Sequence, residues 1–275
     1  MNPRVADIRE RHEQVAGLGV YWREADPPPG VTPSLYVHGV PNNSDLWDPF
    51  LARTGGVALD LPGFGRSDKP ADFDYSIAGY DRFLGAFLDH VGLARFSLVV
   101  HDWGTVGLAT AQRLHDRLEL LVAFVCVPLF ADFRWHRTAR IWRTPIAGEV
   151  LMGFTFRWTA KQLLRKATPK PGSMPDEFID SFYRWFDHGT QRAILKLYRS
   201  APPEVLGRHG FRLGEIAAPA LVLWPDKDPY IPAQFGPRYA EALGNATLET
   251  VADCGHWMWL DHPELVDRAV AFLTR

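Results

Sequence analysis

The sequence has only two cysteines in 275 residues, Cys126 and Cys254, set in separate apolar contexts. That excludes a disulfide framework and a ligand-spaced zinc cluster, and two buried free thiols are expected instead. Also missing is any run of about 18 uninterrupted apolar residues, the length a membrane span needs. The opening stretch MNPRVADIRERHEQ is charged from the start and has no apolar signal-peptide core, so a cytosolic protein is expected. The triplets Asn42-Asn43-Ser44 and Asn245-Ala246-Thr247 then carry no meaning as glycosylation sites. Charge of one sign is not in excess either: the net charge of −2 excludes a global attraction to nucleic acid or to anionic membranes. No repeat and no low-complexity tract interrupts the chain, so function must be carried by local features.

Short apolar runs bounded by turn residues are present, at 34–39, 55–63, 96–102, 118–128, 219–226 and 246–255. They read as buried strands. Helical stretches lie between several of them. In SIAGYDRFLGAFLDHVG (76–92), apolar residues recur from Ile77 to Val91 and Gly92 supplies a stop. Strand–helix alternation predicts an α/β fold with a mostly parallel sheet covered on both faces. VAGLGVYWREA (15–25) reads as an antiparallel opening strand or hairpin. From 130 to 212 the alternation stops and the sequence turns aromatic, basic and helix-like, with 14 Lys and Arg against 7 Asp and Glu between 130 and 210. The expected organisation is a core domain of residues 1–129 and 213–275 with an inserted helical cap at 130–212. Arg134, Arg137, Arg140 and Arg143 recur every third residue, as a solvated outer face or as a basic mouth for anions.

LVVHDWGT (98–105) is the stretch that points to chemistry. A strand ends on Asp102, followed by Trp103, Gly104 and a plausible helix. A sharp strand–turn–helix presents its central side chain at the carboxyl end of the sheet, beside backbone N–H groups at a helix start. Aspartate is also a common helix cap, and the elbow alone leaves both readings open.

Four further segments follow strands in the same way: H-G-x-P at His38 to Pro41, D-x-x-G-x-G-x-S at Asp60 to Ser67, D-x-x-x-P at Asp228 to Pro232, and G-H-W at Gly255 to Trp257. In their order and spacing these resemble the α/β-hydrolase superfamily across nearly the whole chain. Most such enzymes carry G-x-S-x-G at the elbow. H-D-W-G instead resembles the aspartate-nucleophile branch, which contains epoxide hydrolases and haloalkane dehalogenases. That resemblance implies an ester formed on Asp102 and cut by a water that His256 deprotonates, with the Val40 and Trp103 N–H groups as oxyanion hole and Asp228 orienting the histidine. A carboxylate with a reference pKa of about 3.9 needs no base to become a nucleophile, and nearby N–H donors are expected to keep it ionised. Asp226 competes with Asp228 for the acid position. His38 and His101 are assigned to local hydrogen bonding.

What departs from carbon decides the substrate. A halide needs weak N–H donors, and Trp103 matches the first donor of dehalogenases; Val40 stands where their asparagine would supply a second, which leaves a cap tryptophan, with Trp135, Trp142, Trp158 and Trp185 in the expected cap. An epoxide oxygen needs an acidic O–H. Epoxide hydrolases use cap tyrosines, one often followed by arginine, and Tyr198-Arg199 fits that pattern; a first tyrosine between Gly148 and Phe156 is absent. The expected activity is hydrolysis of an epoxide to a vicinal diol. Haloalkane dehalogenation is the alternative, and a ligand-binding protein that lost turnover is a further one. No cofactor is implied, and no histidine has metal-site spacing. The expected partners are a small apolar electrophile and water, with no nucleic acid and no membrane, and the chain is expected to act as a monomer or homodimer.

Overall fold

Each of the six apolar runs forms a strand, the run at 96–102 over its whole length and the other five trimmed where turn residues begin. A computed structural model describes residues 6–170 and 172–275. The strands are β1 (Arg9–Val15), β2 (Leu18–Ala25), β3 (Ser34–Val37), β4 (Gly56–Leu59), β5 (Phe96–Asp102), β6 (Leu118–Cys126), β7 (Ala220–Pro225) and β8 (Ala246–Val251). They make one sheet in the order β1-β2-β4-β3-β5-β6-β7-β8. The pairs from β4 through β8 are parallel, while β2 runs antiparallel to both of its neighbours, β1 and β4. Every residue of β3, β4, β5 and β7 is buried, as a sheet covered on both faces requires. The α/β fold read from the sequence is the fold observed.

The opening segment forms a hairpin whose two turn residues, Ala16 and Gly17, both have positive φ, the geometry of a tight hairpin loop. Its first strand lies in RERHEQV, which lacks apolar alternation because six of its seven residues are exposed.

Core helices α1 (Asp48–Thr54), α2 (Ile77–His90) and α3 (Val106–Arg113) follow the early strands. In α2 the Ser76 hydroxyl accepts the Gly79 N–H at 3.1 Å, and Gly92 turns out of the helix at φ 70°. Six helices and, among the described residues, no strand lie between β6 and β7: α4 (Arg137–Arg143), α5 (Ala147–Gly153), α6 (Arg157–Arg165), α7 (Asp176–Arg184), α8 (His188–Ser200) and α9 (Pro203–Gly210). The chain closes with α10 (Phe235–Leu243), α11 (Met258–Asp261) and α12 (Glu264–Leu273). No helix among the described residues is long and apolar enough to cross a membrane.

Two arginines tie together three of the six helices between β6 and β7. Arg143 donates to the Tyr198 and Ala201 carbonyls at the end of α8, and Arg199 grips both Glu149 oxygens at 2.7 and 2.8 Å. The arginine stripe therefore divides: Arg143 holds carbonyls, Arg134 donates to the Ala131 and Phe133 carbonyls, and exposed Arg137 borders a cavity beneath those helices.

Candidate active site

The elbow is built by an uncommon backbone. Asp102 ends β5 at φ 52° and ψ −120°, where a non-glycine residue costs about 1–3 kcal/mol unless its surroundings impose it. Two glycines let the turn close. A Cβ on Gly104 would stand 2.2 Å from the Val37 carbonyl oxygen, and one on Gly39 would stand 2.5 Å from Asp102 Oδ1. The close approach of Gly39 brings the next amide into line, and Val40 N–H donates to Asp102 Oδ1 at 2.9 Å. The Trp103 N–H also favours the ionised carboxylate.

Across from Asp102, His256 Nε2 lies 3.7 Å from Oδ2, long for a hydrogen bond. Its Nδ1 lies 2.7 Å from Asp228 Oδ2. A carboxylate only accepts, so Nδ1 carries a proton and Nε2 turns its lone pair toward Asp102 when the ring is neutral. Asp228 is fixed in turn by the N–H groups of Tyr230 at 2.7 Å and Ile231 at 3.1 Å. Asp226 lies elsewhere: its carboxylate accepts the Cys254 N–H at 3.1 Å. Together with Asp261 on Gly255 N–H and the Ala167 carbonyl on His256 N–H, it pins the loop that carries the histidine.

Burial raises the Asp102 carboxyl above its ordinary value, and the His256 charge and the Val40 and Trp103 amides only partly offset this. The expectation from sequence counted the amides and omitted the burial. For His256 the balance goes the other way. Burial lowers its pKa, but Asp228 by charge and hydrogen bond, and Asp102 by charge, leave it raised.

His38 and His101 serve the framework. His38 accepts the Leu61 N–H at 2.9 Å, and His101 Nε2 contacts the His256 carbonyl at 3.0 Å. Burial lowers both pKa values, so both rings are neutral at neutral pH. The D-x-x-G-x-G-x-S segment is likewise structural: buried Asp60 accepts the Ser44 N–H at 2.6 Å and the Arg66 N–H at 2.7 Å.

A cavity of about 320 Å³ opens over Asp102 and His256 and is roofed by residues between β6 and β7, including Trp135, Trp142, Leu164, Ile194 and Tyr198. Ile194 and Tyr198 stand one turn apart on α8 and so face the same side. Trp103 does not line this cavity. Its ring is fully buried beneath Trp135, stacked at 5.4 Å, and Tyr198, edge-on at 5.1 Å. Its indole N–H makes no full hydrogen bond, yet lies near enough to the Tyr198 hydroxyl to oppose the rise that burial causes in that hydroxyl's pKa. The Trp135 N–H is turned to the Ala201 carbonyl at 3.1 Å.

Tyr230 also lines the cavity and was not singled out from the sequence. The signal was available in DPYIP, where an aromatic follows the acid by two residues. Among the described residues no cluster of acidic, histidine and cysteine side chains has the arrangement of a metal site.

The arrangement can hold a carboxylate by one oxygen, offer the other to an electrophile, and set a neutral imidazole beside the resulting ester. The α/β hydrolase fold family matches residues 35–263. A haloalkane dehalogenase of Mesorhizobium japonicum is 29% identical over 262 residues, covering 86% of this chain and 82% of its own. Cfl2 of Burkholderia cenocepacia superposes with a TM-score of 0.84 at 23% identity, over 100% of this chain and 98% of its own. The epoxide hydrolase CorEH superposes with a TM-score of 0.83 at 19% identity, over 97% of this chain and 98% of its own. With an aspartate where most of its kin carry a serine, the chain belongs to the α/β-hydrolase fold family.

Proposed function

We propose that the protein hydrolyses an apolar epoxide to a vicinal diol through an ester on Asp102. Asp102 Oδ2 attacks a ring carbon while Oδ1 stays on the Val40 N–H. His256 then takes a proton from a water that adds to the ester carbonyl, and the Val40 and Trp103 N–H groups stabilise the oxyanion. In related hydrolases such a donor is worth about 3–4 kcal/mol. Asp228 keeps the imidazole in the required tautomer and stabilises its charged form. The helices at 130–212 act as a cap that supplies the apolar roof and excludes water.

The observation that carries the epoxide reading is the pairing at the roof. Tyr198 bounds the cavity above Asp102, while Trp103, the donor a halide would require, is covered by Tyr198. A neutral phenol can give a proton to an alkoxide, which a halide does not need. Haloalkane dehalogenation is a second reading, favoured by the unpartnered buried indole N–H of Trp142 in the cavity wall and by the name of the Mesorhizobium relative. Two buried free thiols suit an enzyme of the reducing cytosol.

The test is a single turnover in heavy-oxygen water with a styrene-type epoxide and, separately, a bromoalkane. Diol is expected, with label entering the Asp102 carboxyl and unlabelled oxygen passing to the product. Asp102→Asn should make no diol. Label passing directly into the product would overturn the ester, and halide release without diol would replace the epoxide reading with the dehalogenase one.

A further inference from the structure

Tyr230 sits on the loop after β7, between Asp228 and Ile231, and its ring lies between two imidazoles. The centroids are 5.1 Å from His256, edge-on, and 5.0 Å from His136. Its own N–H holds Asp228 Oδ1 at 2.7 Å, so the backbone that carries the ring is tied to the acid that orients His256. Tyr230 lines the cavity that Asp102 and Tyr198 also line, and its hydroxyl lies close enough to feel the charges of Asp228 and Asp102, with no hydrogen bond to it among the described residues. Two phenols thus face one cavity, one from the roof and one from the core.

Resting on the epoxide reading, we propose that Tyr230 is the second proton donor to the departing epoxide oxygen, paired with Tyr198 across the cavity. As Asp102 Oδ2 bonds to carbon, the C–O bond breaks and its electron pair goes to the ring oxygen. One phenol transfers its proton there and the other donates a hydrogen bond, leaving an ester, an alcohol and one phenolate. Water then cleaves the ester, releasing diol and Asp102 as carboxylic acid; the proton lost on re-ionisation restores the phenol. The sum is epoxide plus water to diol.

The electrostatics have the right direction. Burial raises both hydroxyl pKa values, and the negative charge of Asp102 raises them further. Both phenols therefore hold their protons in the resting site. Once Asp102 becomes a neutral ester that contribution disappears, so the phenols become more acidic as the alkoxide forms.

The experiment separates the half-reactions by rapid quench of Tyr230→Phe, Tyr198→Phe and the double variant. The missing Tyr230 hydroxyl leaves no described protein group unpaired, the missing Tyr198 hydroxyl withdraws the neighbour of the Trp103 indole N–H, and thermal melting checks the fold of each variant. Ester formation from the epoxide should slow roughly 10²-fold in Tyr230→Phe, within the span of general-acid effects, and further in the double variant. Hydrolysis of the ester, and alkylation by a bromoalkane if the enzyme accepts one, should stay within about threefold, a change too small to register as loss of a general acid. As a second probe, 3-fluorotyrosine at 230 keeps ring and hydroxyl while making the phenol more acidic, and the alkylation rate should respond. Wild-type ester formation in Tyr230→Phe, or slowing confined to ester hydrolysis, would overturn the assignment while leaving the epoxide reading intact. No diol from wild type would overturn both.

Discussion

At the floor of the cavity, Asp102 and Asp228 hang on backbone N–H groups at strand ends and His256 on a carboxylate, while the roof is a layer of aromatic rings on helices. Floor atoms are held within hydrogen-bond distance by neighbours the sheet fixes, with Val40 on Asp102 and Tyr230 and Ile231 on Asp228. Roof side chains are fixed mainly by packing, as in the stacking of Trp135 on Trp103 and the edge contact of Trp142 on Tyr198. Hydrogen bonds to a rigid backbone set an atom's position, whereas packing sets a volume. The two ester steps should therefore reside in the floor, and substrate range, the proton donation by Tyr198 apart, in the packing of the roof.

The strongest way to break that division is to remove one floor group and ask whether one half-reaction survives alone. His256→Gln should leave attack by Asp102 possible and stop the second step, with multiple turnover falling by about 10⁴-fold or more. Intact-mass measurement after epoxide should show one adduct per chain; an unmodified chain would mean His256 is needed for attack as well. Asp228→Asn should cost about 10³- to 10⁴-fold in turnover through the wrong tautomer. It should also move the pH profile. Against burial, Asp228, first by charge and then by hydrogen bond, and after it the Asp102 charge, raise the pKa of His256. The ester removes the Asp102 share, and since the ring acts as a base only when neutral, wild-type ester hydrolysis should fade as pH drops through the value that Asp228 sustains. Losing the carboxylate charge lowers the histidine's pKa, so the acid limb should shift to lower pH even as the rate falls; an unmoved limb would contradict the assignment. Gly39→Ala is gentler. The new methyl would press on Asp102 Oδ1, and a displacement of the order of 1 Å can cost about 10²-fold. Both half-reactions should slow together.

Floor and roof also differ in how far they could be read from sequence. Asp102, Val40, His256 and Asp228 stand at strand ends behind apolar runs, and each lies in a short motif whose spacing survives without knowledge of tertiary contacts. Asp226 was harder to separate from Asp228, because both follow β7 within three residues and only the loop's fold turns one toward His256 and the other toward Cys254. In the roof, helical periodicity says that residues 130–212 are helices but not how those helices cross. Tyr198 could be suspected from the arginine beside it; that Tyr198 covers Trp103, and that Tyr230 enters from the opposite side, depends on contacts between residues far apart in sequence. The first strand escaped for a different reason, since RERHEQ buries nothing and leaves no periodic signal.

The smallest test sharpens the comparison from the roof side. Trp135 packs on Trp103, Phe133 and Tyr198, and its indole N–H meets the Ala201 carbonyl at 3.1 Å. That carbonyl also accepts from Arg143 at 2.9 Å, so Trp135→Phe removes a hydrogen bond without leaving the acceptor bare. The loss of that bond should amount to about 1 kcal/mol, which lowers the melting temperature of a chain this size by about 2–4 °C. If packing in the roof sets volume and the floor carries the ester steps, the extra space should widen the range of accepted epoxides and raise KM for small ones. The rate of ester hydrolysis should stay within about threefold, since no partner of His256 has moved and a misplacement near 1 Å would cost far more. A fall in ester hydrolysis with KM unchanged would mean that packing above Trp103 helps hold the elbow, and the two halves of the cavity would then have to be treated as one.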